Sequence, residues 1–232
     1  MYQLYIANKN YSSWSLRPWV LMKEHNIAFQ ERIVPFAANN YDAFKQFAPN
    51  AKVPCLHDES VRIWDSMSIC EYLAERHSGL WPSDSKARAW ARSAAAEMHS
   101  GFPVLREVCT MNVGVRMRLR EIPQALQQEL VRIDELWREG LECFSGPFLS
   151  GSEFTIVDAF FAPVAFRWQT FALPLSDASV AYCERILALN SLREWEREAI
   201  EETWREEAHE AELSAYADCV VDYRKGATNF SH

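Results

Sequence analysis

The stretch Asn10-Tyr11-Ser12-Ser13-Trp14-Ser15-Leu16-Arg17-Pro18-Trp19 decides how the rest of the chain is read. Upstream, Tyr2-Gln-Leu-Tyr-Ile-Ala7 is rich in aromatic and branched side chains and stops at Asn8-Lys9-Asn10, which predicts a strand running into a loop. Downstream, the apolar spacing predicts a helix from about Leu16 to His25, with Ser15 as its N-cap and Pro18 in the first turn, where a missing N–H costs least. The first turn of a helix leaves N–H groups unpaired and carries roughly half a positive charge, so a strand-to-helix junction bearing three hydroxyls suits a thiolate, carboxylate or phosphate. Taken alone, a serine cluster is also ordinary capping and loop chemistry. The rest of the chain has to decide between the two.

Moving outward, Ala28–Val34 reads as a second strand halted at Pro35, and a helix between two strands implies a right-handed crossover and a parallel pair. Tyr41–Phe47 is a short amphipathic segment ended by Pro49. Val53–His57 and Val61–Trp64 flank Asp58-Glu-Ser60 as an antiparallel hairpin. After Asp65-Ser66, Ile69, Cys70, Leu73 and Ala74 recur at helical spacing up to His77. The order is β-α-β-α-β-β-α.

Ser78–Lys86 loses periodicity and collects turn formers, so the expected division is a first domain over residues 1–78, a linker at 79–85 and a second domain over 86–232. Everything beyond reads as helix: about Asp84 to Asn112, Pro123 to Phe144, Ile156 to Phe171, Ser176 to Leu189, and Leu192 into the 200s. Thr155-Ile-Val-Asp158 has the hydroxyl-then-acid spacing of a capping box, a folding element with Asp158 buried. The Glu/Arg-rich run Glu194–Glu212 reads as a solvated helix face, and Lys225–His232 as a loose tail.

Composition excludes several classes. With 232 residues, 49% hydrophobic and 24% charged, the chain is an ordinary folded one with ample core. Its 32 acidic and 24 basic side chains leave a net charge of -8 with no basic cluster, which disfavours nucleic acid as a partner. No apolar run approaches the roughly 20 residues a membrane span needs, and no charged leader precedes the first strand, so no membrane association and a cytoplasmic location are expected. The six cysteines form no C-x-x-C pair and no histidine sits at metal-ligand spacing; they read as buried free thiols, with no metal.

With these residues in view, the chain resembles a glutathione transferase over nearly its whole length. The βαβαββα order is similar to the family's thioredoxin-like N-terminal domain and the helical remainder to its all-α C-terminal domain. Ser12-Ser13-Trp14-Ser15 resembles the Ser-Ser-x-Ser element of the serine-type classes, most closely zeta, although Trp14 stands where zeta has cysteine and Pro18-Trp19 where it has basic residues. Lys52-Val53-Pro54 resembles the loop that carries the family's cis proline, and Asp65-Ser66 the acid-serine pair that holds the γ-glutamyl end of glutathione.

The resemblance implies that Ser12, or next Ser13, activates bound glutathione as a thiolate. Tyr5 and Tyr11 are also candidates, since other classes use a tyrosine near the first strand. It further implies that Val53 pairs with the tripeptide's cysteinyl backbone and that Lys52 reaches the glycyl carboxylate, with Asn39 a further candidate. Asp65 would accept from the α-ammonium and Ser66 would bind the α-carboxylate. A free thiol with pKa near 8.5 is only about 3% ionised at pH 7. Lowering it by about two units takes roughly 2.7 kcal/mol. A hydroxyl bond to an anion supplies about 1.5–3 kcal/mol and a helix N-terminus up to about 2, so no general base is required.

The implied reaction is conjugation of glutathione to a small, mostly apolar electrophile in a detoxification role by a homodimer. The electrophile pocket is expected between the loop after Asn8 and the helix from Asp84, with Met98, His99, Phe102 and Met111 as lining candidates. The alternatives are a zeta-like maleylacetoacetate isomerase and a non-enzymatic interaction protein built on the same scaffold.

Overall fold

The computed structural model describes residues 1–226; the end of the expected tail, 227–232, lies outside the described residues. The first unit contains β1 (Tyr2–Ile6), α1 (Ser13–Glu24), β2 (Phe29–Ile33), α2 (Tyr41–Lys45), β3 (Cys55–Asp58), β4 (Val61–Trp64) and α3 (Ser66–Ala74). Its sheet runs β2-β1-β3-β4. β1 lies parallel to β2, as a helical crossover requires, while β1–β3 and β3–β4 are antiparallel. Tyr5 pairs with Cys55, so β3 begins beside the end of β1, and the Val53-Pro54 peptide leading into β3 is cis.

Then follow α4 (Ser85–Ser100), α5 (Pro103–Val108), β5 (Val115–Leu119), α6 (Gln124–Phe144), α7 (Ile156–Phe171), α8 (Asp177–Leu187), α9 (Asn190–Glu201), α10 (Glu207–Tyr216) and β6 (Ala217–Asp222). The architecture is thus a mixed α/β unit followed by a helical one. At its centre, α7 is buried almost along its whole length and packs against α1, α4, α8 and β5. The burial of so many apolar side chains, each contributing about 1.5–3 kcal/mol, fixes α1 against the helical unit. Asp158 starts α7: its carboxylate accepts from the Thr155 and Leu149 N–H groups and from the Tyr182 hydroxyl.

Three expectations are corrected. The single helix expected from Asp84 to Asn112 is two helices. Pro103 disfavours a right-handed helical Phe102, and Phe102 instead adopts φ 57°, ψ 50°, at a cost of about 1–2 kcal/mol. The break is sealed from both sides: Glu129 accepts from the Val104 and Leu105 N–H groups, and the Arg106 guanidinium donates to the orphan carbonyls of Met98 and Gly101.

Beyond Lys86 the chain is not helix alone, because β5 and β6 form a two-stranded antiparallel ribbon pairing Leu119 with Ala217. The run Val115-Arg-Met-Arg-Leu119 alternates apolar and charged residues, which is the signal for a strand, but its partner is nearly a hundred residues away. Finally, Cys143 is exposed and Cys219 half-buried, so only four of the six cysteines are the buried thiols expected.

Candidate active site at the start of α1

The loop after β1 turns sharply. Tyr11 and Ser12 both donate their N–H groups to the Asn8 carbonyl, and Ser13 donates to Tyr11, so the helix begins at Ser13, three residues earlier than the sequence suggests. Ser12, not Ser15, stands at the N-cap. Ser15 is pulled inward instead: its fully buried hydroxyl accepts from the Ala7 N–H at 3.4 Å and from the Ser12 hydroxyl at 2.7 Å.

Ser12 therefore makes no side-chain cap to the helix. Among the described residues, the Trp14 and Ser15 N–H groups and the Ser13 hydroxyl have no partner. An uncapped first turn with spare amides and a spare hydroxyl is an anion-binding geometry.

Two cavities meet at this turn and share Trp14, Lys52 and Val53. The smaller, about 210 Å³, is bounded by Asn50, Pro54, Asp65 and Ser66. Asp65 caps α3 by accepting from the Met67 N–H at 2.8 Å and holds φ 74°, a backbone conformation that costs a non-glycine residue about 1–3 kcal/mol. Ser66 is buried beside it, 3.5 Å from Arg17 Nη1. The larger cavity, about 430 Å³, continues past Ser12 and Ser13 to Tyr11, Phe36, Met111, Arg106, Arg167 and His209.

A still larger groove of about 550 Å³ lies elsewhere, between the α3–α4 connection and the 150–155 loop. It contains none of the anion-binding groups at α1, so size does not select the site.

Ser12, Ser13, Lys52, Val53, Asp65 and Ser66 are thus brought together, but several other expectations fail. Of the four lining candidates only Met111 faces the larger cavity; Met98 is core, on the buried face of α4 with Ala91, Ala94 and Ala95, and Phe102 is core at the break. Asn39 lies exposed and accepts from the Tyr41 N–H, while Asn40 takes its place on the cavity wall. Tyr5 stacks on Phe47 at 4.5 Å and lines neither cavity.

Tyr11 does line the larger cavity, but it donates its hydroxyl to Glu210 at 2.5 Å. Burial first, and then that carboxylate, push its pKa well above the ordinary value, so it stays a neutral phenol. Glu210 is also gripped by Arg224, and His209 stacks on Tyr11 and Phe36, which holds α10 over the cavity.

Sequence reasoning missed the arginines of the site, Arg17, Arg106 and Arg167, and placed His99 on the wall of its pocket. His99 lies behind it, 3.5 Å from Asp65 and 3.4 Å from Arg17; burial, aided by Arg17 and Arg106, outweighs Asp65 and lowers its pKa, so it is neutral at pH 7. Arg17 is fully buried, with its guanidinium against the faces of Trp14 and Phe160 and its Nε and Nη2 atoms unpartnered. No buried cysteine competes as a nucleophile here: burial pushes Cys55 up to about 11 and Cys109 to about 12.

Residues 11–76 match the family model described as glutathione S-transferase, N-terminal domain, and residues 120–208 match the glutathione S-transferase, C-terminal domain; together they span more than half of the chain. A probable maleylacetoacetate isomerase of Caenorhabditis elegans is 27% identical over 75% of this chain and 81% of its own length. A stringent starvation protein A homolog of Pasteurella multocida is 24% identical over 74% of this chain and 80% of that one. Among solved structures, a glutathione transferase homolog from Burkholderia with bound glutathione superposes with a TM-score of 0.61 at 22% identity, covering 85% of this chain and 97% of its own. A thioredoxin-like α/β unit, a helical unit behind it and both domain models in the right order place this chain in the glutathione transferase family.

Proposed function

We propose that the protein is an enzyme that binds glutathione in the smaller cavity and transfers its thiolate to an electrophile in the larger one. The observation that carries this reading is the uncapped start of α1, where two free N–H groups and two serine hydroxyls stand at the junction of the cavities. The γ-glutamyl ammonium pairs with Asp65, and its carboxylate meets Ser66 at the start of α3. Val53 lies along the cysteinyl backbone, and Lys52 reaches the glycyl carboxylate.

The sulfur then rests against the Trp14 and Ser15 N–H groups and a serine hydroxyl, which hold it ionised without a base. It attacks the electrophilic carbon, a C–S bond forms, and the leaving group departs with its electron pair. Calorimetry with glutathione, followed by titration of the bound thiolate's ultraviolet absorbance, tests the reading. A thiol titrating at its free value while bound would refute it.

A second reading uses the same thiolate. Addition to a conjugated cis alkene, rotation and elimination would give the cis–trans isomerisation for which the C. elegans relative is named. It predicts glutathione-dependent isomerisation of maleylacetoacetate with little transfer to aryl halides. An interaction role without catalysis predicts instead that glutathione does not bind, or binds with its thiol still protonated.

A further inference from the structure

The larger cavity is lined by apolar side chains and by two arginines that form no ion pair among the described residues. Arg167, on α7, is 3% exposed and donates through Nε to the Cys109 carbonyl at 2.7 Å and through Nη1 to the Pro163 carbonyl at 3.2 Å. Arg106, on α5, spends Nε and Nη2 on the carbonyls that end α4 and lays its face on Trp14 at 4.7 Å. All of these acceptors are neutral. Among the described residues neither guanidinium forms an ion pair, and Arg167 Nη2 and Arg106 Nη1 have no partner.

Glu129, whose charge Arg106 feels, is committed to the α5 amides, and Glu212, which also lines the cavity, is exposed. Burial and the mutual repulsion of the two arginines lower the pKa of Arg167 to about 9, which still leaves it charged at pH 7. Two like charges held by neutral dipoles in one wall, Arg167 buried and Arg106 half-buried, each with a spare N–H donor, are matched by an anion arriving from outside.

We infer that the electrophile carries a carboxylate, which Arg106 and Arg167 hold while Trp14, Phe36 and Met111 cover its apolar body. The inference rests on the transferase reading for the word electrophile and deepens it. In that step the carboxylate is a spectator that orients the reacting carbon toward the sulfur at α1. The expectation of a mostly apolar acceptor is thereby narrowed to an amphipathic acid.

The test is calorimetry on the full chain with benzoate and with methyl benzoate, with and without saturating glutathione. Benzoate should bind at least about tenfold more tightly than its ester. Arg106→Gln should reduce that preference to within about twofold, and Arg106→Lys, which keeps the charge, should retain most of it. Met111→Trp, which fills the cavity and alters neither arginine, should abolish benzoate binding.

Equal or tighter binding of the ester to the wild type would overturn the inference. So would a preference that survives Arg106→Gln, or binding that survives the filled cavity. Should Arg106→Gln fail to fold, the wild-type comparison and the filled cavity still decide. The arm without glutathione separates the two readings: benzoate preference without glutathione binding would sink the transferase and leave the anion site standing.

Discussion

Removing the hydroxyls at the start of α1 one at a time gives two different expected shifts, because the two serines are not equally free. The Ser13 hydroxyl has no partner among the described residues, so a bond to sulfur is all gain, about 1.5–3 kcal/mol, or about 1–2 pKa units. The Ser12 hydroxyl must first leave Ser15, a bond of 2.7 Å worth about 1 kcal/mol net, so its balance is about 0.5–2 kcal/mol, or about 0.5–1.5 units. The helix N-terminus, up to about 2 kcal/mol, survives in both variants.

Losing a donor to the anion raises the pKa of the bound thiol. Ser13→Ala should therefore raise it by about 1–2 units and Ser12→Ala by less, each lowering the thiolate fraction at pH 7. The assay is ultraviolet absorbance of glutathione-saturated protein against pH, blanked with the free protein, with thermal melts to confirm folding. Unchanged titration in both variants would refute the serine mechanism. A larger shift at Ser12 than at Ser13 would refute the ranking by hydroxyl engagement, and would restore the order that the motif alone suggests.

Other perturbations separate binding from folding. Asp65→Asn keeps a competent cap on α3 but removes the charge facing the α-ammonium, so glutathione affinity measured calorimetrically should fall about tenfold while the melting temperature holds. Asp158→Ala leaves the donors of Thr155, Leu149 and Tyr182 unsatisfied and should cost about 3 kcal/mol or more in urea unfolding.

The same residue gives a pH signature. Burial raises the Asp158 carboxyl to about 6 against the opposition of its hydrogen bonds, whereas the unfolded chain titrates near 3.9. Between about pH 4 and 6 the folded chain holds a proton that the unfolded chain has lost, so this contribution to stability is complete below about pH 4 and is lost as pH rises through about 6. The gap between wild type and Asp158→Ala should shrink across that window; a widening gap would contradict the assignment. Arg17→Met removes a buried cation with two unpartnered donors and should leave the melting temperature equal or higher, while weakening glutathione binding through the charge lost behind Ser66.

Much of the scaffold was legible because its signals are local. The aromatic and branched side chains of β1, the hydroxyl-to-acid spacing at Thr155–Asp158 and the turn Asp58-Glu-Ser60 between β3 and β4 each act over a few residues, and each element appears where the sequence puts it. The starting point of α1 was not legible, because three serines in four positions offer three possible caps. Only the inward contacts of Ser15 with Ala7 and Ser12 choose among them. The break at Phe102 had a sign in Gly101 and Pro103, but the capping that makes it affordable comes from Glu129, more than twenty residues on.

The charges that matter most to the site are the least visible in one dimension. An arginine on an amphipathic helix normally marks the solvated face, and Arg17, Arg106 and Arg167 carry no local sign of turning inward. Their burial is set by tertiary geometry: Arg17 and Arg106 both lie on Trp14, while Arg106 and Arg167 are held by carbonyls of the α4–α5 region and of α7. Trp14 is also the bulky ring at the third position of the Ser-Ser-x-Ser run. An indole there gives two guanidiniums an apolar face to rest on, which a small side chain does not offer. The indole and the cationic wall are therefore one feature. Replacing Trp14 by cysteine should loosen Arg106 and diminish the preference for a carboxylate, and a preference undiminished by Trp14→Cys would separate the indole from the anion site.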